Sequence, residues 1–122
     1  MDRQTYTIEE PVRMKLIVVN KGPTCTMVWS DGQTHAFYVF DDGEKIWSSS
    51  ECKSYSQAVV RKRWEHGHRE VYKTVWRQWK NGRGDECRRG GGKVEPGRYA
   101  AEGHFTGADD RRTGKLRFRI SE

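Results

Sequence analysis

The segment at residues 96–105 constrains the fold of this chain more than any other part of its sequence. It opens with Pro96-Gly97, a pair typical of turns because proline presets φ at one central position and glycine accepts a positive φ at the next. After this turn every second side chain is apolar or small, namely Tyr99, Ala101, Gly103 and Phe105. This period of two predicts a strand with one face buried in the core of an antiparallel sheet.

Other runs bounded by turn signals are further strand candidates, with the same period of two at residues 12–19 and 116–120. The candidates are residues 12–19, 24–30, 34–40, 45–47, 69–79 and 116–120. Residues 56–64 follow neither period well, but their composition favours one more short strand. We expect residues 24–30 and 34–40 to pair as a hairpin across a glycine-containing turn. Residues 69–79 carry bulky side chains on both faces, which favours a central strand. The sequence contains no convincing helix, so it predicts an all-β fold, an antiparallel sandwich of about seven to nine strands.

The chain length of 122 residues predicts one domain over residues 1–122, long enough to bury a hydrophobic core without a metal or disulfides. Five tryptophans also indicate a packed protein. The amino terminus lacks the apolar region of a secretory signal, and no stretch has the length of a membrane span. We therefore expect a cytoplasmic protein without membrane contact.

The charge balance is basic, since 23 lysines and arginines outnumber 17 aspartates and glutamates and give a net charge of +6. Acidic residues lie near each basic run, so we interpret the charges as a solvated surface. Aromatic and basic residues alternate at residues 69–80, a pattern that fits a stacking platform for single-stranded nucleic acid or aromatic side chains facing the core. We favour the core. Nucleic-acid binding through the basic surface is thus the weaker hypothesis, and we do not expect it.

Residue types that carry chemistry are present, but without the spacing that chemistry needs. Cys25, Cys52 and Cys87 form no CxxC pair, which argues against a disulfide framework and a zinc site. Cys25 fits a small buried residue, whereas pairing of Cys52 with Cys87 stays open. The four histidines, His35, His66, His68 and His104, have no recognisable ligand spacing, and no serine lies in a nucleophile elbow. We therefore predict no metal, no cofactor and no enzymatic activity.

Several motifs occur in an order and spacing that together resemble one family. They are Val18-Val19-Asn20, Ser30-Asp31-Gly32-Gln33 before Phe37-Tyr38-Val39, Asp42-Gly43-Glu44-Lys45-Ile46-Trp47, Tyr55-Ser56-Gln57-Ala58, the Gly67 turn, Trp76, and Val94-Glu95-Pro96-Gly97-Arg98-Tyr99. With them the chain resembles the BsuPI-type intracellular proteinase inhibitor domain, a bacterial family with an immunoglobulin-like (Ig-like) β-sandwich. The resemblance implies a non-catalytic inhibitor of an intracellular subtilisin-like serine protease, and a tyrosine corner at Tyr99.

An inhibitor of this kind must present an exposed and rigid segment to the protease cleft. Residues 48–55 and 81–93 are the candidates, and we prefer the first because the glycine-rich second segment would lose more entropy on binding. The predicted partner-binding residues are the segment and its anchors: Trp47, Ser48, Ser49, Ser50, Glu51, Lys53 and Tyr55. The alternative is a general Ig-like protein-interaction module without inhibitory activity. In either case we expect a monomer.

Overall fold

A computed structural model describes residues 4–29, 34–50, 60–80, 92–106 and 111–122. In these residues the chain forms ten strands: β1 (Thr5–Thr7), β2 (Val12–Val19), β3 (Cys25–Trp29), β4 (His35–Asp41), β5 (Glu44–Ser48), β6 (Val60–Trp64), β7 (Arg69–Trp76), β8 (Gly97–Phe105), β9 (Arg111–Arg112) and β10 (Leu116–Ser121). The described residues contain no helix that is long and apolar enough to cross a membrane. The predicted all-β fold is confirmed, and the very short strands β1 and β9 were not predicted.

The larger sheet has the strand order β1-β10-β8-β4-β5, with β9 paired to the end of β8. Strand β8 is antiparallel to both of its neighbours, β4 and β10. Tyr99, Ala101, Gly103 and Phe105 are buried, as their period of two predicts. Gly97 opens the strand at φ 158°, close to extended backbone. The core strand predicted from residues 96–105 is therefore confirmed.

A two-residue turn joins β4 to β5. Asp41 pairs with Glu44, and the intervening Asp42 and Gly43 have φ of 49° and 82°. Positive φ at both central residues is the signature of a type I′ hairpin turn, for which an Asp-Gly pair is favoured. The local sequence thus fixes this hairpin.

The second layer is one long antiparallel ladder in two parts. Strand β2 pairs with β7 and ends at Val19↔Arg69, whereas β3 pairs with β6 and starts at Cys25↔Trp64. Between these pairs, Asn20 donates its backbone N–H to the carbonyl of His68 at 2.9 Å and accepts from the Gly67 N–H at 2.7 Å. The ladder therefore continues through an interruption at residues 20–24 and 65–68.

One predicted strand pairing and one predicted strand position are wrong. Among the described strands, β3 pairs with β6 while β4 pairs with β5 and β8, so no hairpin joins residues 24–30 to 34–40. The chain crosses there from one layer to the other, and turn residues alone do not distinguish a crossing from a hairpin. Strand β7 is hydrogen-bonded only to β2 among the described strands, and Val75 on its outer face is 43% exposed. Among the described strands it therefore lies at an edge and is not central.

Aromatic side chains join the two layers. The Trp76 ring lies 6.1 Å from both Tyr99 and Phe118, and the rings of Trp29 and Trp64 lie 6.2 and 5.5 Å from Phe105. Trp76, Trp64 and Trp29 are almost fully buried, so the aromatic residues of the ladder supply the core.

Tyr99 also fixes the entry of the chain into β8. Its hydroxyl donates to the carbonyl oxygen of Glu95, four residues upstream. A tyrosine near the start of a strand that bonds back to the preceding backbone is the geometry of a tyrosine corner. The role expected for Tyr99 is confirmed.

Strand β7 stops at Trp76 because Gln78 leaves the sheet with φ 64° and points inward. Its side chain is 2% exposed, and its amide donates to the carbonyls of Thr7 at 2.9 Å and Glu10 at 2.8 Å. Its side-chain oxygen accepts from the Glu9 N–H at 3.1 Å. Gln78 thus fixes the connection between β1 and β2, and the predicted continuation of this strand to residue 79 is wrong.

Candidate functional site

The predicted partner-binding segment begins at the end of strand β5. A β-bulge between Val39 and Phe40 pairs Lys45 with Phe40 and Trp47 with Val39, so Ile46 is the additional residue. Ordinary alternation would turn one of two neighbouring side chains outward, but the bulge lets Ile46 and Trp47 both pack against the core. The Trp47 ring lies 6.2 Å from the ring of Trp76. Trp47 is therefore half-buried and fixes the end of β5.

Hydrogen bonds among three serines direct the chain out of the sheet. The Ser49 N–H donates to the Phe37 carbonyl at 2.9 Å, and the Phe37 N–H donates to the Ser49 hydroxyl at 2.9 Å. Ser48 Oγ lies 2.8 Å from Ser50 Oγ and accepts from the Ser50 N–H at 3.2 Å. We call residues 48–50 the serine turn. It fastens the start of the segment to β4.

The three serines differ in what they offer a partner. Ser48 is 3% exposed, so its side chain supports the turn from within. Ser49 and Ser50 are half-buried. The other predicted residues, Glu51, Lys53 and Tyr55, lie outside the described residues, as do Cys52 and Cys87. Cys25, a free thiol, is half-buried at the start of β3, beside the interruption of the ladder.

The histidines take part in separate local contacts. His66 Nδ1 lies 2.9 Å from the Gly22 carbonyl, and His68 Nε2 lies 2.8 Å from a Glu70 carboxylate oxygen. His35 stacks on Tyr72, with ring centroids 4.1 Å apart. Within the described residues, no three or more His, Cys, Asp or Glu side chains come together in a group that could hold a metal ion.

The shifted pKa values have structural causes. Burial raises the pKa of the Tyr99 hydroxyl, with further contributions from the negative charges of Asp41 and Glu95. Burial also raises the pKa of Tyr72, again helped by a nearby carboxylate. A hydrogen bond from Lys93 lowers the pKa of Glu9 at the surface. The two tyrosines lie in the core and at its margin, and the Glu9–Lys93 pair lies at the surface. These pKa shifts therefore follow from burial and from one surface ion pair.

The aromatic residues of β7 form no stacking platform. Trp76 is buried, and Tyr72 packs against the core with its ring 6.3 Å from Phe105. For Tyr72 and Trp76 this confirms the preferred interpretation of residues 69–80, in which the aromatic side chains face the core.

A second surface feature was not predicted, a groove of about 770 Å³ on the larger sheet. Its lining includes Phe40, Arg98, Lys115, Arg117 and Arg119. The alternation of basic residues in the last strand already places Lys115, Arg117 and Arg119 on one face. Arg98 lies beside these three residues because β8 is the neighbour of β10. The sequence alone does not give this order of strands.

Comparison with protein-family models matches most of this chain to a known family. The sequence model of the family described as BsuPI, intracellular proteinase inhibitor, matches residues 1–109. Among curated proteins, no relative matches the chain. The family match includes the type I′ hairpin, the serine turn and the tyrosine corner, and it spans most of the 122 residues. The chain belongs to the BsuPI family of intracellular proteinase inhibitors.

Proposed function

We propose that this protein is a non-catalytic, monomeric, cytoplasmic inhibitor of a subtilisin-like serine protease, and that residues 48–55 enter the protease cleft. Membership of a family of proteinase inhibitors supports inhibition as the activity. The observation that carries the position of the inhibitory segment is the serine turn, which holds the chain at its exit from β5. The serine protease class and the segment itself are our proposals.

Rigidity is the physical reason for choosing this segment. Ordering a backbone residue costs about 1–2 kcal/mol, and association must already offset lost translation and rotation. The two hydrogen bonds between Ser49 and Phe37, together with the Trp47–Trp76 contact, order the start of the segment before any partner arrives. A segment ordered in advance binds more tightly than a free one for the same contacts.

The decisive experiment is titration of a subtilisin-type protease with the pure protein, monitored by hydrolysis of a chromogenic peptide. We expect hydrolysis to fall to a low plateau as the protein reaches molar excess. Chymotrypsin-like and metal-dependent proteases, titrated in parallel, define the protease class. Full hydrolysis by the subtilisin-type enzyme at large excess would contradict the proposal and favour the interaction module without inhibitory activity.

A Ser49→Ala substitution tests the position of the segment. It removes the side-chain acceptor of the Phe37 N–H, which contributes about 0.5–1.5 kcal/mol, so we expect inhibition to weaken about threefold to tenfold while the fold persists. Ser121→Ala is the matched control, because its hydroxyl makes a long, weak contact of 3.5 Å to the Tyr6 carbonyl. Equal inhibition by both variants and the wild type would place the inhibitory surface elsewhere.

A further inference from the structure

The groove on the larger sheet lies where strands β10, β8 and β4 run side by side. Arg119 is directly opposite Arg98, Arg117 is opposite Ala100, and Phe40 is opposite Ala100 from the other side. Direct partners share a sheet face, so these side chains all project from the outer face. The volume of about 770 Å³ falls within the range of about 300–1,000 Å³ typical of ligand sites.

The groove concentrates positive charge. Lys115, Arg117 and Arg119 are exposed and spaced two residues apart, and Arg98 adds a fourth cation from β8. The direct pairing of Arg98 with Arg119 is unfavourable in an isolated sheet, because like charges opposite each other repel. None of the four forms an ion pair with an acidic side chain in the part of the chain that the structure describes. The cluster therefore lacks internal compensation among the described residues.

The rest of the groove limits what an anionic ligand can be. Phe40 and Ala100 form an apolar strip, and Lys115 Nζ lies 4.4 Å above the Phe40 ring. Asp41 and Asp42 line the end near the β4–β5 turn. Their carboxylates would repel a phosphate backbone that runs continuously along the groove. A ligand with separate negative charges and apolar atoms between them fits better.

We propose that this arginine groove, formed by Phe40, Arg98, Ala100, Lys115, Arg117 and Arg119, binds an extended acidic segment of a partner protein. Guanidinium groups hold carboxylates through paired hydrogen bonds, so glutamate or aspartate side chains of the segment lie against the arginines. Apolar side chains between them lie on Phe40. Three of the four cations follow residue 109, where the family match ends, so the family name carries no information about them. The groove is a second binding surface, and its use does not depend on protease inhibition.

The test uses a short fluorescein-labelled peptide in which glutamate alternates with alanine and phenylalanine, and measures its anisotropy at increasing protein concentration. We expect saturable binding to the wild-type protein that weakens as salt rises. The double variant Arg98→Glu/Arg119→Glu should bind about tenfold more weakly or worse. Lys15→Glu/Lys73→Glu is the matched control, since it reverses another exposed, directly opposed pair, on the ladder, with the same change in net charge. It should bind within about threefold of the wild type.

Three results with the wild type and the double variants would overturn the proposal. They are absence of binding to the wild type, equal loss in the two double variants, and tighter binding of an oligothymidylate than of the acidic peptide. Equal loss would indicate net charge alone, and tighter oligothymidylate binding would indicate a nucleic-acid surface. Phe40→Ala retains all four cations, so we expect weaker peptide binding with an unchanged salt dependence. Unchanged affinity in this variant would contradict a role for the groove.

Discussion

Asn20 holds the two parts of the ladder together, and its replacement tests how the interruption is stabilised. Its side-chain Nδ2 lies 3.1 Å from each of three carbonyl oxygens, those of Pro23, Trp64 and Glu65. Its Oδ1 accepts from the Gly22 N–H at 3.1 Å. One amide therefore serves both chains where the ladder hydrogen bonds are broken.

The expected loss of stability follows from the exposure of these partners. The carbonyls of Pro23 and Glu65 are exposed and can bond to water after Asn20→Ala, whereas the contact to Trp64 is partly buried. A buried group left without a partner costs about 1–3 kcal/mol, and the bond to Gly22 adds about 0.5–1 kcal/mol. We expect a loss of about 2–3 kcal/mol, which lowers the urea midpoint by about 1–2 M.

Asn20→Asp tests whether stability depends on the Nδ2 donor or only on the size of the side chain. The carboxylate keeps the acceptor for Gly22 but places negative charge against three carbonyl oxygens, so we expect it to be less stable than the alanine variant at pH 7. Those oxygens would raise the pKa of the new carboxyl in the folded state. Its stability should therefore recover as the pH falls towards the ordinary aspartate pKa of about 3.9, where the protonated group donates again.

Urea unfolding followed by tryptophan fluorescence measures both variants, with Thr24→Ala as the control because that side chain is exposed in the same interruption. Since Trp29, Trp64 and Trp76 are buried in the core, their fluorescence reports on its unfolding. An aspartate variant as stable as the wild type at pH 7 would refute the role given to the Nδ2 donor. An unchanged midpoint for Asn20→Ala would show that water replaces the amide without cost.

Two further predictions concern the core. A Cβ at Gly103 would lie 3.2 Å from Leu16 Cδ1, so Gly103→Val should destabilise the protein by about 1–3 kcal/mol in urea unfolding, and an unchanged midpoint would show that β2 yields without strain. Tyr99→Phe removes the bond to Glu95 and should cost about 1 kcal/mol at pH 7. Because the pKa of Tyr99 is raised by burial, the unfolded chain loses this proton first, and wild-type stability falls as the pH rises above about 10. The difference between wild type and variant should narrow there, and a constant difference between pH 7 and pH 11 would contradict this assignment.

Local signals in the sequence determine much of the larger sheet. The Pro-Gly pair and the alternation after it predict β8, and Asp42-Gly43 is sufficient for the turn between β4 and β5. Strand β1 has no such signal, because its three residues are too few for a period and its parallel partner, Arg119–Ser121, is distant in the chain. Pairing between distant segments depends on the packing of the whole core, which is why the predicted hairpin after β3 was wrong.

The candidate sites were harder to predict for the same reason. The bulge that turns both Ile46 and Trp47 inward is a property of register, which the sequence of β5 alone does not give. The bonds of the serine turn depend on Phe37, which lies on the neighbouring strand. Likewise, Arg98 joins the basic residues of β10 only because the sheet places β8 beside β10.

The serine turn and the arginine groove lie at opposite ends of strand β5. The serine turn begins at Ser48, and the groove reaches the Asp42-Gly43 turn before Glu44. Five strand residues span on the order of 15 Å, whereas an ordinary interface of about 800 Å² per partner extends over about 30 Å. One protein can therefore cover both surfaces. If the protease also carries the acidic segment, the groove adds affinity beyond the cleft, and reversing its charge weakens inhibition without altering the inhibitory segment.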